Sequence, residues 1–413
     1  MDSMAAFLRS YFPIFMLSAI FGKLMELSGF ARSIAMLVSR FAGPTRTMLA
    51  VVIVCALLVY GGVAVFVVPF AVYPVAAVMF RENNVPKRLL PATLALGSFT
   101  FAMDALPGSP QVQNVIPTTF FGTTTMAAPR LGLFGAGVIL IAGMTYLEWR
   151  RRAAVCVREG YGMGHLNEPI GLSVEAVVVH PLLAFTPLIV VGLANVFFTR
   201  LFPQWYGASS IVALAPSGKP IVQQVPAIVG VWSVEAALVL GILAVLLPSY
   251  RTMVGMFAEG TRTAMPLCLL AAVNVGSEFG FGSVIAALPG FFRIQSALSA
   301  IPNPLVSAAI SITTLAGITG SAAGGISIAL GAMAEQFKAA AQEANIPLEV
   351  LHRISAMAAG GMDTLPHSGA VIALLAVTGM THRQAYGDIF AVTCLKTAAA
   401  LVVIFAYSTF GWV

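Results

Sequence analysis

The chain has 413 residues, of which 59% are hydrophobic and 9% charged, and its formal net charge is +6. An ordinary soluble domain carries about 25% charged residues, so this composition excludes that class and predicts a membrane protein. The basic residues fall in short connections between apolar runs, not in a stripe with interleaved aromatic residues, which argues against a nucleic-acid partner.

Apolar runs long enough to cross a bilayer, about 20 residues each, recur along most of the sequence and number about ten. The first, at 4–27, carries Lys23 and Glu26 and lacks a clear cleavage site, so we expect a retained span and not a signal peptide. The clearest further spans are predicted at 48–80, 89–103, 131–147, 174–198, 225–247, 264–292, 305–332 and 389–407.

Two further stretches, 104–125 and 354–378, are apolar overall but rich in Gly, Pro, Ser and Thr. This composition predicts re-entrant or unwound elements. Backbone that leaves the helix at membrane depth is tolerated only where it is buried in protein or lines a cavity, so these stretches are the first places to seek a site.

Loop charges give a partial orientation. The basic stretches 150–158, 251–262 and 338–353 are predicted to face the cytoplasm, and the polar, nearly uncharged stretch 199–224 is predicted to face out. Basic residues in the first 110 residues fall on both sides of the spans and leave the topology there open.

A near-duplication is the most informative feature of the chain. Residues 103–109 (MDALPGS) and 362–368 (MDTLPHS) agree at five of seven positions, and each copy follows a glycine-broken span, at 60–62 and at 321–325. We interpret this as an internal repeat. Five full spans are predicted between the copies, and an odd number inverts the second copy, as in inverted-repeat transporters.

The predicted fold is therefore an all-α polytopic membrane protein, an inverted-repeat secondary transporter with broken or re-entrant helices. Residues 1–150 would form the first half-repeat, 151–224 a connecting region with one span, and 225–413 the second half-repeat. The four cysteines show no paired spacing, and no phosphate loop, nucleophile elbow or metal-ligand spacing is present. We expect no cofactor, no metal and no enzymatic activity.

The candidate site centres on two intramembrane aspartates, Asp104 and Asp363. An Asp at the centre of a span costs about 2.5 to 3.5 kcal/mol, so such a residue is functional or paired by default. Neutral hydroxyls, amides and backbone N–H groups near the breaks can hold a carboxylate. The candidate substrate-binding residues are Asp104, Ser109, Gln111, Asn114, Thr118, Thr119, Gly61, Gly62, Ser321, Gly324, Gly325, Asp363 and Ser368.

Four residues are candidates for proton coupling: Asp363, His367, Asp104 and Glu278. The unperturbed pKa of histidine, about 6.5, suits such a role, although His367 could equally cap a helix. Glu278 is either a third site residue or a charge at a helix break. Sodium is an alternative coupling ion, because Asp, Ser, Thr and carbonyl oxygens suit it as well.

Several segments together resemble the gluconate permease (GntP) family of carboxylate:proton symporters. They lie at 21–35 (FGKLMELSGFARSIA), 107–110 (PGSP), 116–122 (IPTTFFG), 320–325 (GSAAGG) and 360–368 (GGMDTLPHS). The resemblance implies proton-driven uptake of a sugar acid or small hydroxycarboxylate across the bacterial inner membrane, and the wider group suggests a homodimer. Family members usually begin with about two additional hydrophobic segments, so the first half-repeat is expected to be short.

The late motif departs from that family. Gluconate carriers have a His followed closely by Asn-Asp-Pro, whereas this chain has Pro366, His367, Ser368 and Gly369. 3-Hydroxybutyrate or citrate is therefore as plausible a substrate as gluconate. A channel for small anions and an intramembrane aspartyl protease are the remaining alternatives, because polar broken helices also line pores and two aspartates invite comparison with a catalytic dyad.

Overall fold

The computed structural model describes residues 2–43, 46–168, 179–212, 221–250, 255, 257–286, 288–290 and 301–413. Most of these residues are α-helical, and a 3-10 turn spans Lys87–Leu89. The strands β1 (Ser209–Val212) and β2 (Ile221–Gln224) form an antiparallel hairpin. The helices in chain order are α1 (Asp2–Leu27), α2 (Phe30–Ala42), α3 (Thr47–Tyr60), α4 (Val68–Glu82), α5 (Leu90–Ser98), α6 (Phe101–Asp104), α7 (Val112–Phe121), α8 (Pro129–Cys156), α9 (Pro181–Tyr206), α10 (Val225–Leu246), α11 (Phe257–Ala286), α12 (Pro304–Thr319), α13 (Ala322–Glu343), α14 (Leu348–Ala359), α15 (Gly369–Thr378) and α16 (His382–Phe410).

Five helices in the described part of the chain are long and apolar enough to cross a membrane. They are α1, α8, α16 and the segments Leu182–Tyr206 of α9 and Ile228–Leu246 of α10. This confirms the predicted class, an all-α polytopic membrane protein. Helix α2 was not predicted. Of the predicted spans and loops, residues 174–178, 213–220, 251–254, 256, 287 and 291–292 lie outside the described residues.

Two predicted spans are in fact helical hairpins. The stretch 305–332 comprises α12 and α13, and the chain turns back at Gly320, whose φ is +66°. Gly325 on α13 lies so close to the backbone of Ala316 on α12 that a Cβ has no room. The stretch 48–80 likewise comprises α3 and α4, which pack against each other.

The hairpins correct the predicted count of spans between the two MD-x-LP motifs. A hairpin returns the chain to the side on which it began, so the stretch 305–332 does not count as a fifth crossing. Helices α8 to α11 separate the two motif-bearing helices, and if α11 and those two helices cross the membrane together with α8, α9 and α10, the second remains inverted relative to the first. Inversion therefore stays a prediction, although the reason first given for it was wrong.

The predicted re-entrant stretches belong to two broken helices. The first consists of α5 and α6, an unwound segment at 105–111, and α7; the second consists of α14, an unwound segment at 360–368, and α15. Residue 354 is therefore not the start of a separate element, because α14 begins at Leu348. The order hairpin, broken helix, long helix occurs twice, over α3–α8 and over α12–α16. Outside this repeat, α1 packs on α11 and α9 on α10.

The predicted cytoplasmic stretches are partly helical. Arg150 lies within α8, and the stretch 338–353 runs from the end of α13 into α14, where Arg353 is fully buried. In the loop after α8, Glu168 pairs with Lys87 at 2.6 Å. Partial burial opposes ionisation of Glu168, but hydrogen bonds from Lys87 and Tyr161 outweigh it and lower the pKa.

The close approach of α12 and α13 predicts that Gly325→Ala destabilises the protein. The new methyl group must displace the Ala316 backbone, and such overpacking costs about 1 to 3 kcal/mol. Gly137→Ala on α8 is the control, because a Cβ there meets nothing within 4 Å. In thermal unfolding of the purified protein, we expect a lower Tm for Gly325→Ala only. Equal values for both variants would contradict the hairpin packing.

Candidate functional site

The unwound segments of the two broken helices, 105–111 and 360–368, are called the first and the second break, and they meet in the interior of the protein. The carboxylate of Asp104 lies against Gly360, so closely that a Cβ on Gly360 would overlap its Oδ2 atom. Asp363 forms an ion pair with Lys396 on α16, and the same Lys396 ammonium donates to the Phe99 carbonyl at 2.9 Å, between α5 and α6. Both predicted aspartates are buried, and Asp363 is indeed paired.

Arg353 on α14 holds the first break. Its guanidinium donates to the backbone carbonyls of Asp104 at 3.0 Å, Thr125 at 3.2 Å and Ala127 at 2.8 Å, and to Asn114 Oδ1 at 2.9 Å. These carbonyls have left the helical hydrogen-bond pattern, and unpaired groups of this kind cost several kcal/mol each in a bilayer. One side chain from the second repeat therefore stabilises the unwound backbone of the first.

Asn114 and His352 extend this network. Asn114 Nδ2 donates to the carbonyls of Ser109 and Thr125, each at 2.9 Å, while Oδ1 contacts His352 Nε2 at 3.2 Å. His352 Nδ1 lies 2.6 Å from the Thr123 hydroxyl. A neutral His352 with its proton on Nε2 satisfies both contacts, because it then donates to Asn114 and accepts from Thr123.

The other predicted polar residues of the first break also bond to protein groups. Ser109 Oγ donates to the Ala102 carbonyl at 2.8 Å, and Gln111 Nε2 donates to the carbonyls of Val59 at 2.7 Å and Val63 at 3.0 Å. Gln111 thus links the first broken helix by hydrogen bonds to the hairpin of α3 and α4.

Two threonines on α7 are similarly engaged. Thr118 Oγ1 donates to the Val115 carbonyl at 2.6 Å, and Thr119 Oγ1 accepts from the Tyr11 hydroxyl at 3.0 Å. Both hydroxyls therefore contact protein groups in the structure described, and their part in substrate binding stays a prediction.

A cavity of about 240 Å³ lies where the two hairpin turns approach the second break. It contains three of the predicted substrate-binding residues, Ser321, Asp363 and Ser368. Its remaining lining residues are Val65, Phe66, Phe99, Met103, Gln113, Asn274, Val275, Thr319, Gly320, Ala322, Ala323, Gly369 and Ala370. The cavity therefore draws on both repeats and on α11.

The chemistry of the cavity suits an anion. Helices α13 and α15 begin at its wall, and the N–H groups of a first helical turn have no acceptor within the helix and carry partial positive charge. The Ser368 hydroxyl and Gln113 Oε1 are buried without a hydrogen-bond partner in the described part of the chain. The serine hydroxyl is thus free to donate to a ligand, and the amide oxygen is free to accept from a ligand hydroxyl.

The remaining predicted residues lie outside the cavity wall. Gly61 and Gly62 pack against Leu188 and Leu238, which agrees with a role in close helix packing. The Gly324 N–H donates to the Ser321 side chain, which caps α13. His367 is exposed and touches Gly320.

Glu278 lies on α11, but its side chain is outside the described residues.

The sequence analysis did not single out four residues of the candidate site: Gln113, His352, Arg353 and Lys396. The sequence could have indicated Lys396, because a charged residue within a long apolar helix is rarely unpaired. Arg353 carried no such signal, since it is the last residue of the basic stretch 338–353, which resembles a loop.

Comparison with known proteins gave two informative similarities, while no family model matches the chain. The chain is 52% identical, over 424 aligned positions, to the uncharacterized transporter YxjC of Bacillus subtilis (strain 168), covering 100% of this chain and 89% of that protein. It also resembles the crystal structure of the Alcanivorax borkumensis YdaH transporter, with a TM-score of 0.50 and 14% identity over 99% of this chain and 88% of that one. The second similarity concerns the fold alone.

The Arg353 contacts predict that Arg353→Met destabilises the protein strongly. Methionine fills similar space but leaves the Asp104 and Ala127 carbonyls without their Arg353 hydrogen bonds, at about 1 to 3 kcal/mol for each buried group, while the Thr125 carbonyl keeps the Gly108 N–H and Asn114 Nδ2. Arg130→Met, at an exposed position on α8, is the control. We expect a large fall in Tm for Arg353→Met and little change for Arg130→Met. A Tm for Arg353→Met within a degree or so of wild type would refute the stabilising role of Arg353.

Proposed function

This chain belongs to the family of membrane transporters that includes YxjC, and we propose that it is a secondary active symporter that carries a small organic anion with protons across the bacterial inner membrane. The observation that supports this most is the cavity between the two breaks. It combines the first turns of α13 and α15, two unpartnered polar side chains and the carboxylate of Asp363.

The contents of the cavity favour a monocarboxylate. Drug-sized ligands occupy pockets of about 300 to 1,000 Å³, so a cavity of about 240 Å³ suits a smaller molecule. Two helix N-termini and the Ser368 hydroxyl offer hydrogen-bond donors for one carboxylate. Gln113 and Ser321 are placed to meet hydroxyl groups. We therefore favour 3-hydroxybutyrate or gluconate, in line with the resemblance to the gluconate permease family, and place citrate third because its three carboxylates need more positive charge.

The two aspartates support proton coupling. Asp104 Oδ1 is buried without a hydrogen-bond partner among the described residues, and Asp363 lies in the cavity wall. Carboxylates at membrane depth are typical of proton relays. His367 is exposed, so we assign coupling to the aspartates before His367. A sodium ion is the alternative, and a homodimer stays a prediction.

Uptake of radiolabelled 3-hydroxybutyrate, gluconate and citrate into cells that express the chain tests this proposal. We expect saturable accumulation of one acid that a proton uncoupler abolishes and that removal of sodium leaves unchanged. Cells with an empty vector are the control. Accumulation that requires sodium would overturn proton coupling. Flux that neither saturates nor exceeds the external concentration would indicate a channel, and absence of uptake of all three acids would contradict the substrate class.

A further inference from the structure

The Lys396 ammonium lies directly behind the wall of the cavity. Its side chain is 3% exposed and its two contacts are the Asp363 carboxylate and the Phe99 carbonyl, both of which belong to residues that line the cavity. An anion in the cavity would therefore lie close to Lys396, on the far side of Asp363 and Phe99. Lys396 is the nearest described cationic side chain to Asp363, with which it forms a buried ion pair.

Few other charged or titratable groups face this pair. Arg353 is bonded to carbonyl and amide oxygens of the first break, and the Asp104 carboxylate lies against Gly360. From α16, His382 contacts the Pro366 carbonyl and the Tyr386 hydroxyl donates to the Thr364 carbonyl. Arg353, His382 and Tyr386 are held by these contacts. Asp104 is a second buried carboxylate that feels the charges of both Lys396 and Asp363, and its Oδ1 has no hydrogen-bond partner among the described residues. Within the described part of the chain, Asp363 is nevertheless the only acidic group that forms an ion pair with Lys396.

We propose that Asp363 and the substrate carboxylate alternate as partners of Lys396, and that protonation of Asp363 releases Lys396 to the substrate. This inference rests on the proposed function and specifies its coupling step. A proton adds to a carboxylate oxygen of Asp363 and forms the neutral acid. The ammonium of Lys396 then pairs with the carboxylate that enters the cavity. On release, the substrate departs, the proton leaves Asp363, and the original ion pair forms again.

Because the site is buried and must stay close to neutral, the proton and the substrate anion bind cooperatively. The Asp363 and Lys396 pair is neutral when both groups are ionised. A substrate anion alone adds an unbalanced negative charge, and a proton alone leaves an unbalanced ammonium; each state is unfavourable where the effective dielectric constant is low. Only the binding of both restores neutrality. One proton therefore accompanies each carboxylate, and transport of a monocarboxylate is electroneutral.

Binding of radiolabelled 3-hydroxybutyrate and gluconate to the purified protein, measured from mildly acidic to alkaline pH, tests the alternation. For wild type we expect the Kd to rise about tenfold per pH unit on the alkaline limb, as linkage to one proton requires. Asp363→Asn leaves Lys396 without an anionic partner, and burial of an unpaired ammonium favours loss of its proton. This variant therefore tests transport and not the pH profile: it should exchange substrate without uncoupler-sensitive accumulation.

Lys396→Gln should weaken binding about tenfold to a hundredfold at the acidic end of the range, where wild-type binding no longer depends on pH, because a charge-assisted hydrogen bond to the substrate is lost. The double variant Asp363→Asn with Lys396→Gln removes both charges together and guards against misfolding of either single variant. It should bind weakly and without pH dependence. Glu335→Gln and Lys338→Gln are matched controls, since they remove the same charges from a pair at the surface of α13, 2.6 Å apart, and should keep the wild-type pH profile.

The outcomes separate the inference from the proposed function. Failure of wild type to bind or accumulate either acid would overturn the proposed function itself. A wild-type Kd and pH profile in the double variant, or uncoupler-sensitive accumulation by Asp363→Asn, would overturn only the alternation. Undiminished binding by Lys396→Gln would do the same, because the substrate would then have another partner.

Discussion

Polypeptide that leaves the helix inside a bilayer must find partners for its carbonyl groups within the protein, because no water is present to supply them. The first break of this chain meets that requirement through Arg353 and Asn114, and Arg353 lies in the other repeat. The unwound segment therefore depends on contacts between repeats. This dependence explains how a fully buried arginine exists without an acidic partner among its hydrogen bonds.

The same requirement brings the breaks together and creates the site. Once α14 lies against the first break, the Asp104 carboxylate contacts Gly360, which is the first residue of the second break. Lys396 then bridges Asp363 to Phe99, one from each repeat. The hairpin turns complete the wall, so that two helix N-termini and a carboxylate surround a space suited to a small anion. The contacts between repeats that satisfy the unwound backbone thus also bring the cavity-lining groups together.

The sequence predicted much of this arrangement, since composition identified the membrane class and the repeated MD-x-LP motif located both breaks. It did not predict the hairpins, because an apolar run of the length of 48–80 is also compatible with one tilted span. It also proposed Ser109, Gln111 and Asn114 as substrate-binding residues. In the structure described, their donor groups bond to backbone carbonyls, of the first broken helix for Ser109 and Asn114 and of the first hairpin for Gln111, and their role in substrate binding stays a prediction. Arg353 and Lys396 were missed because their partners lie far away in the chain, and local patterns carry no information on such contacts.

Protection of a cysteine in the cavity wall tests the location of the site most directly. Ala370→Cys lines the cavity, and Ala376→Cys lies at an exposed position of the same helix, each in a background with the four native cysteines replaced by alanine. We expect 3-hydroxybutyrate or gluconate to slow modification of residue 370 by N-ethylmaleimide severalfold and to leave residue 376 unaffected. Equal rates at residue 370 with and without an acid that the protein accumulates would show that substrate binds elsewhere.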